Sequence, residues 1–137
     1  MHDSVVLDSS IIAAIFFPEK ISMKAIEVAE GNDCSTVDLA YAEVANVAWK
    51  RAIQPEISLE DVRTALTESQ AFIRETCRVI PAHDLVAEAF EMARSCRVTV
   101  YDALFLAAAS RCGFPLVTAD SRLYSAARKN FSIRLIR

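Results

Sequence analysis

Four acidic residues stand along this chain where they could do chemistry: Asp8, Glu43, Asp102 and Asp120. Asp8 follows a short apolar run, Val5-Val6-Leu7, and Asp120 comes shortly after another, Pro115-Leu116-Val117. If these runs are neighbouring strands, both carboxylates face one crevice at the carboxyl edge of a sheet. Glu43 lies in the first turns of a helix and Asp102 at the start of another, and both helices begin near that edge if each follows a strand or its loop. Ionised carboxylates sharing a cleft repel, so they take up protons or gather a cation. Oxygen ligands select hard ions such as Mg2+ or Mn2+. A water activated by such an ion can attack a phosphodiester in line, and that is the chemistry this set best suits.

Each acid also has a structural explanation. Asp8 sits at a helix start beside Ser9 and Ser10, Asp102 stands in capping-box spacing after Thr99, and Asp120 can cap the last helix. Acids near helix N-termini are stabilised by the macrodipole whatever their function. Glu43 is the least explained this way. It shares a helical face with Leu39, Asn46 and Lys50, where a rim glutamate is the structural alternative.

The elements that must position these residues alternate between short β-type runs and longer helical periods. Strands are expected over 5–7, 34–36, 78–80, 115–117 and 133–135. Ser9 and Ser10 offer N-caps for a helix through Ile11, Ile12 and Ile15, which Pro18 closes. A second helix covers about 21–30, stopped by Gly31. Asp38 can cap a third, about 39–52. Ser58 and Asp61 form a capping box for a fourth, apolar at Leu59, Val62, Leu66 and Ile73. Val86, Ala89, Phe90 and Ala93 mark one face of a fifth. Residues 103–110 are apolar nearly all round, which predicts a buried central helix. A last helix covers about 121–129. Apolar strands separated by helices imply parallel pairing with right-handed crossovers, hence an α/β three-layer sandwich around a sheet of about five strands.

With 137 residues the chain is expected to form one domain, 1–137, with one core. Apolar residues make up 53% of it, which excludes disorder, and only two glycines occur, which argues against a turn-rich all-β fold. No apolar run is long enough to span a bilayer and the start lacks a basic n-region, so a soluble, cytoplasmic protein is expected. The net charge of −3 is unlike the usual basic footprint of nucleic-acid binding, but setting aside the four acids leaves +1. Cys34, Cys77, Cys96 and Cys112 form no C-x-x-C pair, so free thiols are expected rather than zinc. No glycine-rich phosphate loop exists.

The set Leu7-Asp8-Ser9-Ser10, Glu43-x-x-Asn46, Tyr101-Asp102-Ala103 and Thr118-Ala119-Asp120 resembles the PIN domain family, and in particular the VapC-type toxins of toxin–antitoxin pairs. The resemblance covers nearly the whole chain in the family's order and spacing. It implies strand order 3-2-1-4-5 and a metal-dependent endoribonuclease, with Asp8, Glu43, Asp102 and Asp120 as the catalytic and metal-holding acids. It also implies that Thr118 orients an acid through its hydroxyl, that Ser9 or Asn46 supports the metal or substrate, and that the partners are RNA, a small antitoxin and a second copy of the chain. Many members carry a further acid just after the position of Asp120. Here Ser121-Arg122-Leu123-Tyr124 follows, so one Mg2+ or Mn2+ is expected and a second is left open.

Lys50, Arg51, Arg122 and Tyr101 are the further substrate-binding candidates, the basic residues through phosphate contacts and Tyr101 through its place beside Asp102. Trp49, Phe16 and Phe17, at helical spacing, fit core or dimer contacts better than base stacking. Alternatives to the toxin reading are a housekeeping nuclease of the same fold, in RNA processing or decay, and a domain that binds RNA without cutting it. A phosphoacceptor receiver needs an adjacent acidic pair and a lysine after the last strand, and this chain has neither.

Overall fold

The computed structural model of the chain describes residues 2–137. Five strands form one parallel sheet: β1 (Asp3–Leu7), β2 (Asn32–Val37), β3 (Arg78–Ile80), β4 (Leu116–Thr118) and β5 (Ile133–Leu135). Their spatial order is β3-β2-β1-β4-β5, as expected. Val5 pairs with Cys34 and Val6 with Leu116, so β1 is flanked on both sides. Val5, Val6 and Leu7 are fully buried, which is why this run is continuously apolar rather than alternating. The order reverses between β1 and β4, and the crevice there is the natural ligand site of an open parallel sheet.

Among the described residues seven α-helices connect and cover the strands: α1 (Ser9–Phe16), α2 (Ser22–Gly31), α3 (Leu39–Ala52), α4 (Leu59–Glu75), α5 (Val86–Cys96), α6 (Val100–Cys112) and α7 (Ser121–Ala127). Helix α1 packs on α2, α3 and α4, α3 packs on α4, and α5 packs on α6. Helix α6 is the central one. Ala103 through Ala109 are all buried, and the helix touches β1, β2 and β4. Its alanines let it approach the sheet closely, so the site at its N-terminus sits on a rigid element.

Local chemistry departs from expectation at several points. Asp8, not Ser9 or Ser10, caps α1; the serines fall inside the first turn, which frees both hydroxyls for other partners. Asp38 makes no cap bond, and its Oδ1 instead accepts from the Ala82 N–H at 2.9 Å, tying the start of α3 to the turn after β3. Gly31 is the last residue of α2 and has no positive φ, so the chain passes straight into β2 without a left-handed stop. The predicted apolar faces are only partly buried. Ala89 and Ala93 are inside, but Val86 and Phe90 are exposed, because α6 covers only the small side chains of α5; Leu59, at the start of α4, is exposed as well. Phe17 is buried and Phe16 stacks at a tilt on Phe72, whereas Trp49 is exposed. The four cysteines are free thiols. Among the described residues no helix is long and apolar enough to cross a membrane.

Candidate active site

Asp8 leaves β1 as the N-cap of α1, with its side chain turned under the crevice and 6% exposed. Its Oδ1 accepts from the Ser10 N–H at 3.1 Å, the Ile11 N–H at 3.3 Å and the Ser10 hydroxyl at 2.5 Å. Its Oδ2 accepts from the Thr118 hydroxyl, brought in from the end of β4. Thr118 is fully buried, and its oxygen in turn accepts from the Asp120 N–H at 3.0 Å. Burial pushes the Asp8 carboxyl up to about 6, against the hydrogen bonds from Ser10, Thr118 and Ile11, and the charge of Asp102 raises it further.

Glu43 projects from the second turn of α3, and its Oε1 accepts from the Ser9 hydroxyl at 2.6 Å. Burial raises its carboxyl above the ordinary range; the Ser9 bond opposes this and Asp102 adds to it. Asp102 stands in the first turn of α6, where its N–H donates to the Thr99 hydroxyl oxygen at 3.1 Å. Burial raises its carboxyl too, and the neighbouring charge of Asp120 adds to the effect. Asp120 caps α7, with Oδ1 accepting from the N–H groups of Arg122 and Leu123 at 2.9 and 3.2 Å. The capping expectation for Asp120 therefore holds, Thr99 caps α6 through the Asp102 N–H, and Asp8 takes the cap expected of Ser9 or Ser10; all three coexist with convergence. A cap spends an acid's local geometry without moving it from the strand end.

Asp8, Glu43, Asp102 and Asp120 line one open cavity of about 450 Å3, together with Ser9, Asn46 and Tyr101. Leu39, Val47 and Phe105 supply an apolar wall; sequence reasoning put Leu39 on the Glu43 face but did not pick out Val47 or Phe105. No Lys, Arg or His lines the cavity, and among the described residues none of the four acids is in a salt bridge. Lys50, Arg51 and Arg122 are not brought to it. Arg51 instead donates to the Pro18 carbonyl at 3.2 Å, and Arg122 is exposed on α7. Tyr101 is 61% exposed at the rim. Sequence reasoning also missed Ser10, whose hydroxyl accepts from the Ala119 N–H at 2.9 Å while donating to Asp8.

The acids ring the cavity rather than close on one point: among the described residues no three His, Cys, Asp or Glu side chains gather tightly enough to form a finished ligand cage. The donor set still fits a hard divalent cation. Every donor is oxygen, and acids bearing on one another's titration have no positive charge beside them. Mg2+ in particular retains waters and needs few protein ligands.

The family model described as PIN domain matches residues 5–129. Ribonuclease VapC3 of Pyrobaculum aerophilum is 35% identical over 120 residues, 87% of this chain and 91% of that protein. Ribonuclease VapC1 of Mycobacterium tuberculosis is 33% identical over 99 residues, 72% of this chain and 71% of that protein. In fold, the chain is similar to VapC20 of Mycobacterium tuberculosis, described as a sarcin-ricin loop cleaving toxin, at TM-score 0.71, 17% identity, 93% of this chain and 95% of that one. It is likewise similar to a chain of a toxin–antitoxin complex from Klebsiella pneumoniae, at TM-score 0.69, 16% identity and 95% of each chain. The chain therefore belongs to the PIN domain family, among the VapC proteins.

Proposed function

We propose that this protein is a metal-dependent endoribonuclease and the toxin of a toxin–antitoxin pair. The observation that carries this reading is the cavity at the sheet's switch point, ringed by Asp8, Glu43, Asp102 and Asp120 with no basic side chain lining it to neutralise them. Relatives named as VapC ribonucleases support the substrate class and favour the toxin over a housekeeping nuclease.

Asp8, Asp102, Asp120 and Glu43 would hold Mg2+ or Mn2+, one ion with a second left open. When bound, the ion supplies charge neutralisation and lowers the pKa of the attacking water. The chain's own residues do the rest. Thr118 and Ser9 orient Asp8 and Glu43 through their hydroxyls. Burial raises the Glu43 carboxyl above its ordinary range, which makes it a stronger base than a solvated glutamate. Asn46 on the cavity wall and Tyr101 on its rim meet the ribose and a base. Arg122, Lys50 and Arg51 do not line the cavity and meet flanking phosphates, giving salt-sensitive, weakly sequence-specific contacts. The protein acts in the cytoplasm as a homodimer, and a small antitoxin covers the cavity. The exposed Val86, Phe90 and Trp49 supply apolar area for such contacts.

The test is cleavage of structured RNAs by purified protein in Mg2+, Mn2+ or EDTA, with Asp8→Asn alongside. Cleavage should require the metal and fall at least about 100-fold in the variant. Full cleavage in EDTA would refute the reading. Metal binding by calorimetry without turnover would instead support an RNA-binding domain that does not cut. The reading frame next to the gene decides between toxin and housekeeping roles: a short neighbour with a DNA-binding pattern favours the toxin.

A further inference from the structure

Two hydroxyls clamp the Asp8 carboxylate, one on each oxygen, and both rest on consecutive backbone N–H groups after β4. Thr118 donates to Oδ2 and accepts from the N–H of Asp120. Ser10 donates to Oδ1 at 2.5 Å and accepts from the N–H of Ala119 at 2.9 Å. Both clamps cross between the β1–α1 junction and the end of β4: the Thr118–Asp8 bond joins residues 110 apart and the Ser10–Ala119 bond residues 109 apart. The Ser10 clamp differs in its parts, because its hydroxyl belongs to α1 and holds the β4–α7 turn by a backbone N–H that the Thr118 clamp leaves free.

Counting acceptor sites shows what this crossing does. A carboxylate oxygen has about two lone-pair positions. Oδ1 already receives three donors, the N–H groups of Ser10 and Ile11 and the Ser10 hydroxyl. Oδ2 receives one, from Thr118. The acceptor capacity left on Asp8 is therefore on Oδ2. The same hydroxyl that fills Oδ1 anchors the turn from which Asp120 projects.

We infer that Ser10 is a positioning residue of the site: its hydroxyl holds the acids that follow β1 and β4 as one rigid pair and leaves Asp8 a single oxygen for a ligand. This rests on the proposed metal-dependent reading for its consequence, though not for its geometry. Ser10 is half-buried, so its neighbours tolerate small changes in size. Groups that orient ligands in this way are worth roughly 10–100-fold in metal affinity or activity.

The experiment uses the full chain with Mn2+ alone as the probe. Mn2+ affinity is measured by calorimetry, and the Ala119 amide is followed by NMR hydrogen exchange in the metal-free protein. Ser10→Ala should bind Mn2+ about tenfold more weakly and lose protection at the Ala119 amide. Ser10→Thr, which keeps the hydroxyl, should restore both. A fall in Tm with unchanged Mn2+ affinity and an unchanged Ala119 amide would mean that the serine only packs, and would overturn the inference. Ser10→Cys, similar in size with a weak donor, carries the same test should the alanine variant unfold. If the unsubstituted chain binds no Mn2+, the metal reading itself falls. The amide exchange then still decides whether Ser10 ties the two loops together.

Discussion

Replacing Asp8 by asparagine should stabilise the metal-free protein near neutral pH while destroying its activity. The Asp8 carboxyl is 6% exposed and titrates at about 6 rather than at its ordinary 3.8. At about 1.4 kcal/mol per pH unit, keeping it ionised in the fold costs about 3 kcal/mol once the pH is well above 6. Folding raises this carboxyl's proton affinity. The contribution of the protonated form is thus fully present below 3.8 and is lost as pH rises through about 6. By the same linkage the cost is about 1 kcal/mol at pH 4.5. Asparagine removes the cost at every pH, but it offers an NH2 where one oxygen took the Thr118 hydroxyl, a loss of about 1 kcal/mol. The net expectation is a gain of about 2 kcal/mol at pH 7.5 and about none at pH 4.5. For a chain of this length that is a Tm rise of about 7 °C at pH 7.5. The assay is thermal and urea unfolding of both proteins in EDTA at the two pH values. In Mn2+ at a hundredfold its Kd the natural protein should recover about 2.7 kcal/mol and the difference should vanish or reverse. An asparagine variant no more stable in EDTA at pH 7.5, or one whose advantage is the same at pH 4.5, would refute the assignment of the raised carboxyl to burial.

Two further expectations concern parts of the molecule away from the cavity. Gly113 ends α6 at φ +74° with its N–H donating to Ala109, and an added Cβ would meet nothing within 4 Å. Gly113→Ala should therefore lose only the backbone term, about 1 kcal/mol by urea unfolding, with RNA cleavage unchanged. Burial pushes the Cys34 thiol up to about 11 and that of Cys77 up to about 12, while Cys96 and Cys112 are half-exposed. A thiol-reactive dye at pH 8 should modify two cysteines quickly and two only after denaturation. Four equal rates in the native protein would contradict this.

Much of the fold was legible because its signals are local. The buried runs at β1 and β4 could be read from Val5-Val6-Leu7 and Leu116-Val117, and the central helix from an apolar stretch with no polar face. Positions that satisfy both a cap and a site were legible too, since Asp8, Asp102 and Asp120 sit where helix starts follow strands or loops. Faces were harder. Phe90 and Val86 match the period of a buried helix, yet α6 covers only the alanines beside them. Periodicity marks which residues share a face, but how much of that face a neighbour covers depends on the packing of α6.

By itself the sequence determined that the chain is α/β, that its strands are parallel, and which four carboxylates are candidates for one edge. These follow from period, run length and capping chemistry, which act over a few residues. Only the tertiary structure decided which groups surround those acids. It placed Lys50, Arg51 and Arg122 outside the cavity, turned Ser9 toward Glu43, and set Ser10 between Asp8 and Ala119. The physical reason is range. A hydrogen bond between residues 109 positions apart depends on how β1 and β4 lie side by side, and nothing in the local pattern of either segment specifies it.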